Sequence, residues 1–328
     1  MSKVHLLTST AAHPSNVLQQ PKCAAQVCYE FAAEIAATGL QAPPTIEPDG
    51  LIHRFDSGGK RKGKAGWYVL HLDGIAAGSF GSWDKGWVMN WVSLSYTQLD
   101  AQQRNLVAQR IKQALIQRQA LQAQHHHSVQ MSALSRWRRA KPAITHPYLT
   151  TKSITGYGLR MDGSSLLVPV RDAHGILHSL QTINTKGEKL FLKGGRVRGC
   201  YYSIGQPYEV IVVAEGMATA HSIHDATGLP VAAAFSAGNL LPVAQSLKAK
   251  LPQKTIFVAA DDDHTTHSNP GLIAAREAAM AVGGYVVSPQ FTAGRPRKAT
   301  DFNDLAQLEG KPAVAACFTE VLEGLHYE

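Results

Sequence analysis

The clearest pattern lies in the second half of the chain, where short, continuous apolar runs rich in β-branched residues alternate with longer amphipathic stretches. The runs Glu209–Glu215, 230–235, Thr255–Ala260 and 285–288 read as strands buried on both faces, as in a parallel sheet. Helical stretches at about 216–227, 237–250 and 270–282 fill the gaps, and a closing helix is expected from about Pro312 to Leu325. Strands alternating with helices predict an α/β, doubly wound parallel sheet flanked by helices.

The first half is organised differently. A helix starts near Pro21, carries an apolar line through Ala24, Val27, Cys28, Phe31 and Ile35, and stops at Gly39; a Pro-rich linker, 41–48, follows. Apolar runs at Leu51–Phe55, Trp67–Leu72, Ile75–Phe80 and Trp87–Leu94, separated by turn residues, predict an antiparallel meander. Four of the five tryptophans fall here, among Arg54, Lys60, Arg61, Lys62, Lys64 and Lys85. Two roles are open to them: filling the core of a small sheet, or stacking on single-stranded nucleic acid, for which Trp67 and Lys85 are the candidates. From Leu99 to Lys141 the chain lacks Gly and Pro and predicts one long helix or two in series. Its His125-His126-His127 point in different directions and suit a solvated face better than a metal pair. Residues 146–207 are Gly-rich with short apolar runs and read as a small mixed or β-rich subdomain. The expected divisions are an N-terminal α+β domain at 1–98, a basic helical linker at 99–145, a basic subdomain at 146–207 and the α/β domain at 208–328.

Charge sharpens this division. Leu99–Lys141 holds eight Arg and Lys against one Asp, His146–Pro207 eight against three acids, and Tyr208–Gln290 four against seven. A basic flank beside an acidic centre suits a polyanion held by one part and a cation by the other. Arg160, Lys186, Lys193, Arg196 and Arg198 lie near turns where they can meet phosphates. Four scattered cysteines (Cys23, Cys28, Cys200 and Cys317) cannot build a disulfide framework or a zinc ribbon. No apolar stretch is long enough to span a bilayer and the first residues lack a signal-peptide core, so no membrane partner and a cytoplasmic location are expected.

Carboxylates gather where the strands stop: Glu215, then Asp261-Asp262-Asp263, then Asp301 and Asp304. In open α/β sheets ligands bind at that edge. Asp261 and Asp263 share a side if the strand stays extended. Hard oxygen donors in this arrangement suit Mg²⁺ or Mn²⁺, which keep waters for phosphate oxygens.

With Glu215-Gly216 after the first strand and Asp261-x-Asp263 after the third, the sequence resembles the TOPRIM fold of bacterial-type primases, topoisomerases and some nucleases. The closer resemblance is to primases of plasmids and phages. It rests on Ala214-Glu215-Gly216-Met217-Ala218-Thr219-Ala220, on Ala260-Asp261-Asp262-Asp263 followed by Asn269-Pro270-Gly271, and on Asp301-Phe302-Asn303-Asp304-Leu305. Tyr148-Leu149, Gly156–Arg160, Leu167–Val170 and Lys193-Gly194-Gly195 are similar to the basic subdomain that precedes TOPRIM in those primases.

The resemblance implies a metal-dependent nucleotidyltransferase that makes short RNA primers from ribonucleoside triphosphates on a single-stranded DNA template. Asp261, Asp263 and Asp301 or Asp304 would hold the metal, and Glu215 would assist proton transfer or join the metal shell. The sequence departs from many such primases in lacking a zinc ribbon and a phosphate-binding Gly-x-x-x-x-Gly-Lys-Ser/Thr loop, which implies another template-reading module or a separate replicative helicase. A nuclease on the same fold and a non-catalytic single-strand DNA-binding adaptor are the alternatives.

Overall fold

The computed structural model describes residues 22–58, 65–73, 75–83, 86–94, 99–266, 268–292 and 294–325. Two compact units divide the chain, Met1–Gln124 and His125–Glu328.

In the first unit, α1 (Ala24–Ala37) buries Val27, Phe31 and Ile35, one residue per helical turn, and ends where the Thr38 and Gly39 amides turn back onto Ile35 and Ala36. Its buried stripe covers one face of a meander of β1 (His53–Phe55), β2 (Gly66–His71), β3 (Ala77–Ser82) and β4 (Trp87–Val92), all antiparallel. Tyr68, Leu70 and Phe80 lie in the core with Phe31. Trp67 and Val69 alternate to the other face, where they meet Ala114 of α2 (Ala101–Arg139), a single helix. With both faces covered, Trp67 is wholly buried, which corrects its reading as a base-stacking residue: no nucleobase can reach the ring. Lys85, Lys60, Arg61, Lys62 and Lys64 lie outside the described residues. Arg110 of α2, almost wholly buried, donates to the Ile75 carbonyl and pairs with Asp73 at 2.6 Å.

The second unit begins within α2, whose Ala133, Leu134 and Trp137 pack on Leu167, Leu177 and Leu180. These belong to an antiparallel sheet of β5 (Lys141–Pro142), β6 (Arg160–Asp162), β7 (Ser165–Arg171), β8 (Leu177–Ile183) and β9 (Lys189–Phe191), with α3 (Pro147–Thr151) before β6. Next come β10 (Tyr202–Ile204), β11 (Val210–Ala214), α4 (Met217–Thr227), β12 (Val231–Ala233), α5 (Ala237–Lys250), β13 (Thr255–Ala259), α6 (Pro270–Val282), β14 (Tyr285–Val287), α7 (Phe302–Glu309) and α8 (Lys311–Leu325).

The sheet order is β10-β12-β11-β13-β14, parallel except for β10. Alternate residues supply its two cores. Val212, Ala214, Phe257 and Ala259 face α4, α7 and α8, whereas Ile211, Val213, Ile256 and Val258 face α5 and α6. The first of these cores also takes in Tyr148, Leu149, Leu166 and Val168, so the basic sheet and the parallel sheet share buried packing. Both β10 and α7 go beyond the expected element list. The four cysteines are free, and among the described residues no helix is long and apolar enough to cross a membrane.

Candidate active site

Parallel pairing of Ala214 with Ala259 sets the ends of β11 and β13 level, so Glu215 and, one residue beyond its register partner, Asp261 emerge at the carboxyl edge of the sheet. The Glu215 carbonyl accepts from the Phe235 amide at 2.8 Å. Burial pushes its carboxyl above the usual range, the Ala237 amide opposes that shift, and Asp263 and Asp301 add to it. Asp261 is pushed up to about 8, first by burial and then by the charges of Asp301, Glu215, Asp263 and Asp304.

The middle aspartate has a different fate. Burial works to raise Asp262, but hydrogen bonds at 2.6 Å from Arg295 and from Asn269 outweigh it and hold the carboxyl below its usual range. Asn269 caps α6, and its Oδ1 accepts from the Asp263 amide at 2.9 Å. The Asp263 carboxylate accepts from Gly271 N at 3.3 Å. A Cβ at Gly271 would stand 2.7 Å from the Asp261 carbonyl oxygen, so a side chain there would push the two acidic residues out of place.

Asp301 caps α7: its Oδ1 accepts from Asp304 N at 2.8 Å and its Oδ2 from Thr219 Oγ1 at 3.1 Å. Burial raises its carboxyl, with the charge of Asp304 next. Asp304 accepts from Thr300 N at 3.0 Å and faces Lys152 Nζ at 3.9 Å. Between them Asn303, almost wholly buried, donates to the Lys152 carbonyl and to Ser222, which fixes α7 against α3 and α4.

Glu215, Asp261, Asp263, Asp301 and Asp304 are therefore brought to one edge. They do not close into a tight cage: among the described residues the only three metal-capable groups with ligand atoms within 4.8 Å of one another are Glu47, Asp49 and His53. Mutual repulsion keeps uncompensated carboxylates apart, and Mg²⁺ needs only one or two of them because it retains waters. The donors fit such an ion. Asp261 Oδ1 is buried without a hydrogen-bond partner, among hard oxygen ligands whose summed charge opposes ionisation.

The basic candidates split by environment. Lys186, Lys193 and Arg198 are exposed, and Arg196 is half-buried with its guanidinium 3.5 Å from His178. Arg160 is engaged internally, donating to the Trp137 carbonyl at 2.7 Å and stacking on that ring. Lys152 was not among the basic candidates, yet it faces Asp304; Lys189, a cation near the same turns as the others, acts by its charge on Glu215. Thr219 entered only as part of the Glu215-Gly216 motif, and its place in the first turn of α4 brings its hydroxyl to Asp301.

Comparison with known proteins shows what the chain around this edge is similar to. Residues 210–312 match the Toprim domain. That stretch runs from β11 to the start of α8 and contains every acid of the edge. Over 299 residues, 86% of this chain, the sequence is 33% identical to a DNA primase TraC of Escherichia coli, and it is 32% identical to a second DNA primase TraC of Escherichia coli. The chain spans 28% and 20% of the length of these relatives. Among solved structures, the primase fragment of the bacteriophage T7 primase-helicase protein aligns at TM-score 0.41 and 16% identity, over 54% of this chain and 74% of that one. The DnaG primase catalytic domain bound to ssDNA aligns at 0.42 and 12%, over 61% and 80%.

Proposed function

We propose that this chain is a DNA primase, joining ribonucleotides on a single-stranded DNA template with Mg²⁺ or Mn²⁺. The observation that carries the reading is the buried, unpartnered Asp261 oxygen among the acids of the Toprim edge. Similarity to the TraC primases extends beyond that domain over most of the chain, the basic sheet included.

Asp261 and Asp263 would hold the metal, with Asp301 preferred to Asp304, because the charge of Asp301 weighs most on Asp261 while Asp304 already serves Thr300 and Lys152. When bound, the ion supplies positive charge to the triphosphate and the leaving pyrophosphate. Glu215 is suited to take the proton of the attacking 3′-hydroxyl, because burial makes its carboxylate more basic while the Ala237 amide keeps it oriented. Lys152 and Lys189 flank the acids and would bind phosphate oxygens. Exposed Lys186, Lys193 and Arg198, with Arg196, would hold the template backbone, and Arg160 would support Trp137 more than it binds DNA.

The deciding assay incubates the protein with single-stranded DNA, labelled ribonucleotides and Mg²⁺ or Mn²⁺. Templated products are expected, and Asp261→Asn and Asp263→Asn should each lose most of them while remaining folded. Shortened DNA would replace this reading with a nuclease, and bound but unaltered DNA with an adaptor.

A further inference from the structure

Beside Glu215 the sheet edge carries an aromatic pair with no part in the chemistry described so far. Phe235 follows β12 with φ 72°, in the left-handed region that a bulky residue seldom enters. The turn has a visible result: the Phe235 amide donates to the Glu215 carbonyl at 2.8 Å, and two residues later the Ala237 amide reaches the Glu215 carboxylate. Glycine makes such a turn without strain, so the turn alone does not account for a ring at this position.

The ring of Phe235 packs partly on the core beneath the sheet and meets Phe191 edge to face, with centroids 5.5 Å apart and planes at 89°. Phe191 closes β9, an edge strand of the basic sheet that is exposed along its length, and 38% of the residue is open to solvent. Lys189 falls on the same face of β9 as Phe191, and its charge is felt at Glu215. An open aromatic ring thus shares a strand face with a cation whose charge reaches the acids suited to metal and phosphate.

We propose that Phe191, backed by Phe235, is a stacking step for a nucleobase whose phosphates are engaged at the acid edge. The inference rests on the primase reading and adds where a base lies. An aromatic face accepts any base, so the step would position substrate without selecting sequence. The base comes either from the template or from a bound ribonucleotide, and both offer the same π-face.

The experiment uses the full chain and two fluorescent probes, single-stranded DNA carrying one 2-aminopurine and 2-aminopurine ribonucleoside triphosphate with Mg²⁺. Stacking quenches 2-aminopurine, and the probe that is quenched identifies the source of the base. Phe191→Trp should keep quenching and affinity, whereas Phe191→Leu and Phe191→Ala should lose the quench and weaken binding of that probe about ten-fold. Phe235→Gly removes both strain and ring. Retained melting temperature with weakened binding supports its place behind Phe191, and a lowered melting temperature with unchanged binding assigns it to the core alone. The proposal is overturned if neither probe is quenched by the wild type, or if Phe191→Leu binds and quenches like it. Probe binding needs no synthesis, so a wild type that stacks the base but makes no primer would sink the primase reading and leave the stacking step standing.

Discussion

Asp261 sits where burial and four other carboxylates oppose its ionisation, which lifts its carboxyl from 3.8 to about 8. The folded chain therefore holds this proton more tightly than the unfolded chain. The resulting stability is complete below about pH 4 and is lost as pH rises through about 8, at up to roughly 1.4 kcal/mol per pH unit. In a chelator, the wild-type melting temperature should fall between pH 5 and pH 8.5, Asp261→Asn should flatten that fall, and Mg²⁺ should raise the melting temperature most at the alkaline end. Parallel curves for the two proteins would remove Asp261 from the charge cluster. The placement of Asp261 and Asp263 at the strand end was legible as an alternation. The withdrawal of Asp262 was not, because its partner Arg295 lies 33 residues further on and meets it only through the fold.

At the scale of elements, the strands and helices of the parallel sheet were readable almost to the residue, because buried runs and amphipathic runs differ in period. The strand β10, short and with polar Ser203 at its centre, fell inside the stretch read as the basic subdomain, and α7 was hidden by its own cap, since Asp301 and Asp304 suggest ligands as readily as a helix start. Asn239 shows how such elements are held. Its side chain donates to the carbonyls of Val197, Cys200 and Ala234 and accepts from the Gly199 amide, which pins the loop bearing Arg196 and Arg198 to α5. Asn239→Ala leaves several buried backbone groups unpaired and should cost about 3 kcal/mol in urea unfolding. An unchanged midpoint would mean that water replaces the amide without loss.

For the whole molecule, the uneven charge was visible in sequence, but its division between surface and interior was not. Of the basic candidates, Arg160 is spent on Trp137, and of the tryptophans, Trp67 is spent on the core, because a meander covered on both faces leaves no free side for it. If Lys186, Lys193 and Arg196 meet phosphates, affinity for single-stranded DNA should fall with salt by a logarithmic slope of roughly 0.7 per contact. Triple substitution to alanine should flatten the slope by about 2, measured by titration at several salt concentrations. An equal slope would place the contacts elsewhere. The pairing of β10 with β12 has a consequence for dissection of the chain. A fragment trimmed to begin at residue 208 would strip a strand from the sheet and bare the hydrogen-bonding edge of β12, an invitation to self-association. The smallest piece that keeps the acid edge sound must therefore include residues that belong, by sequence order, to the basic half.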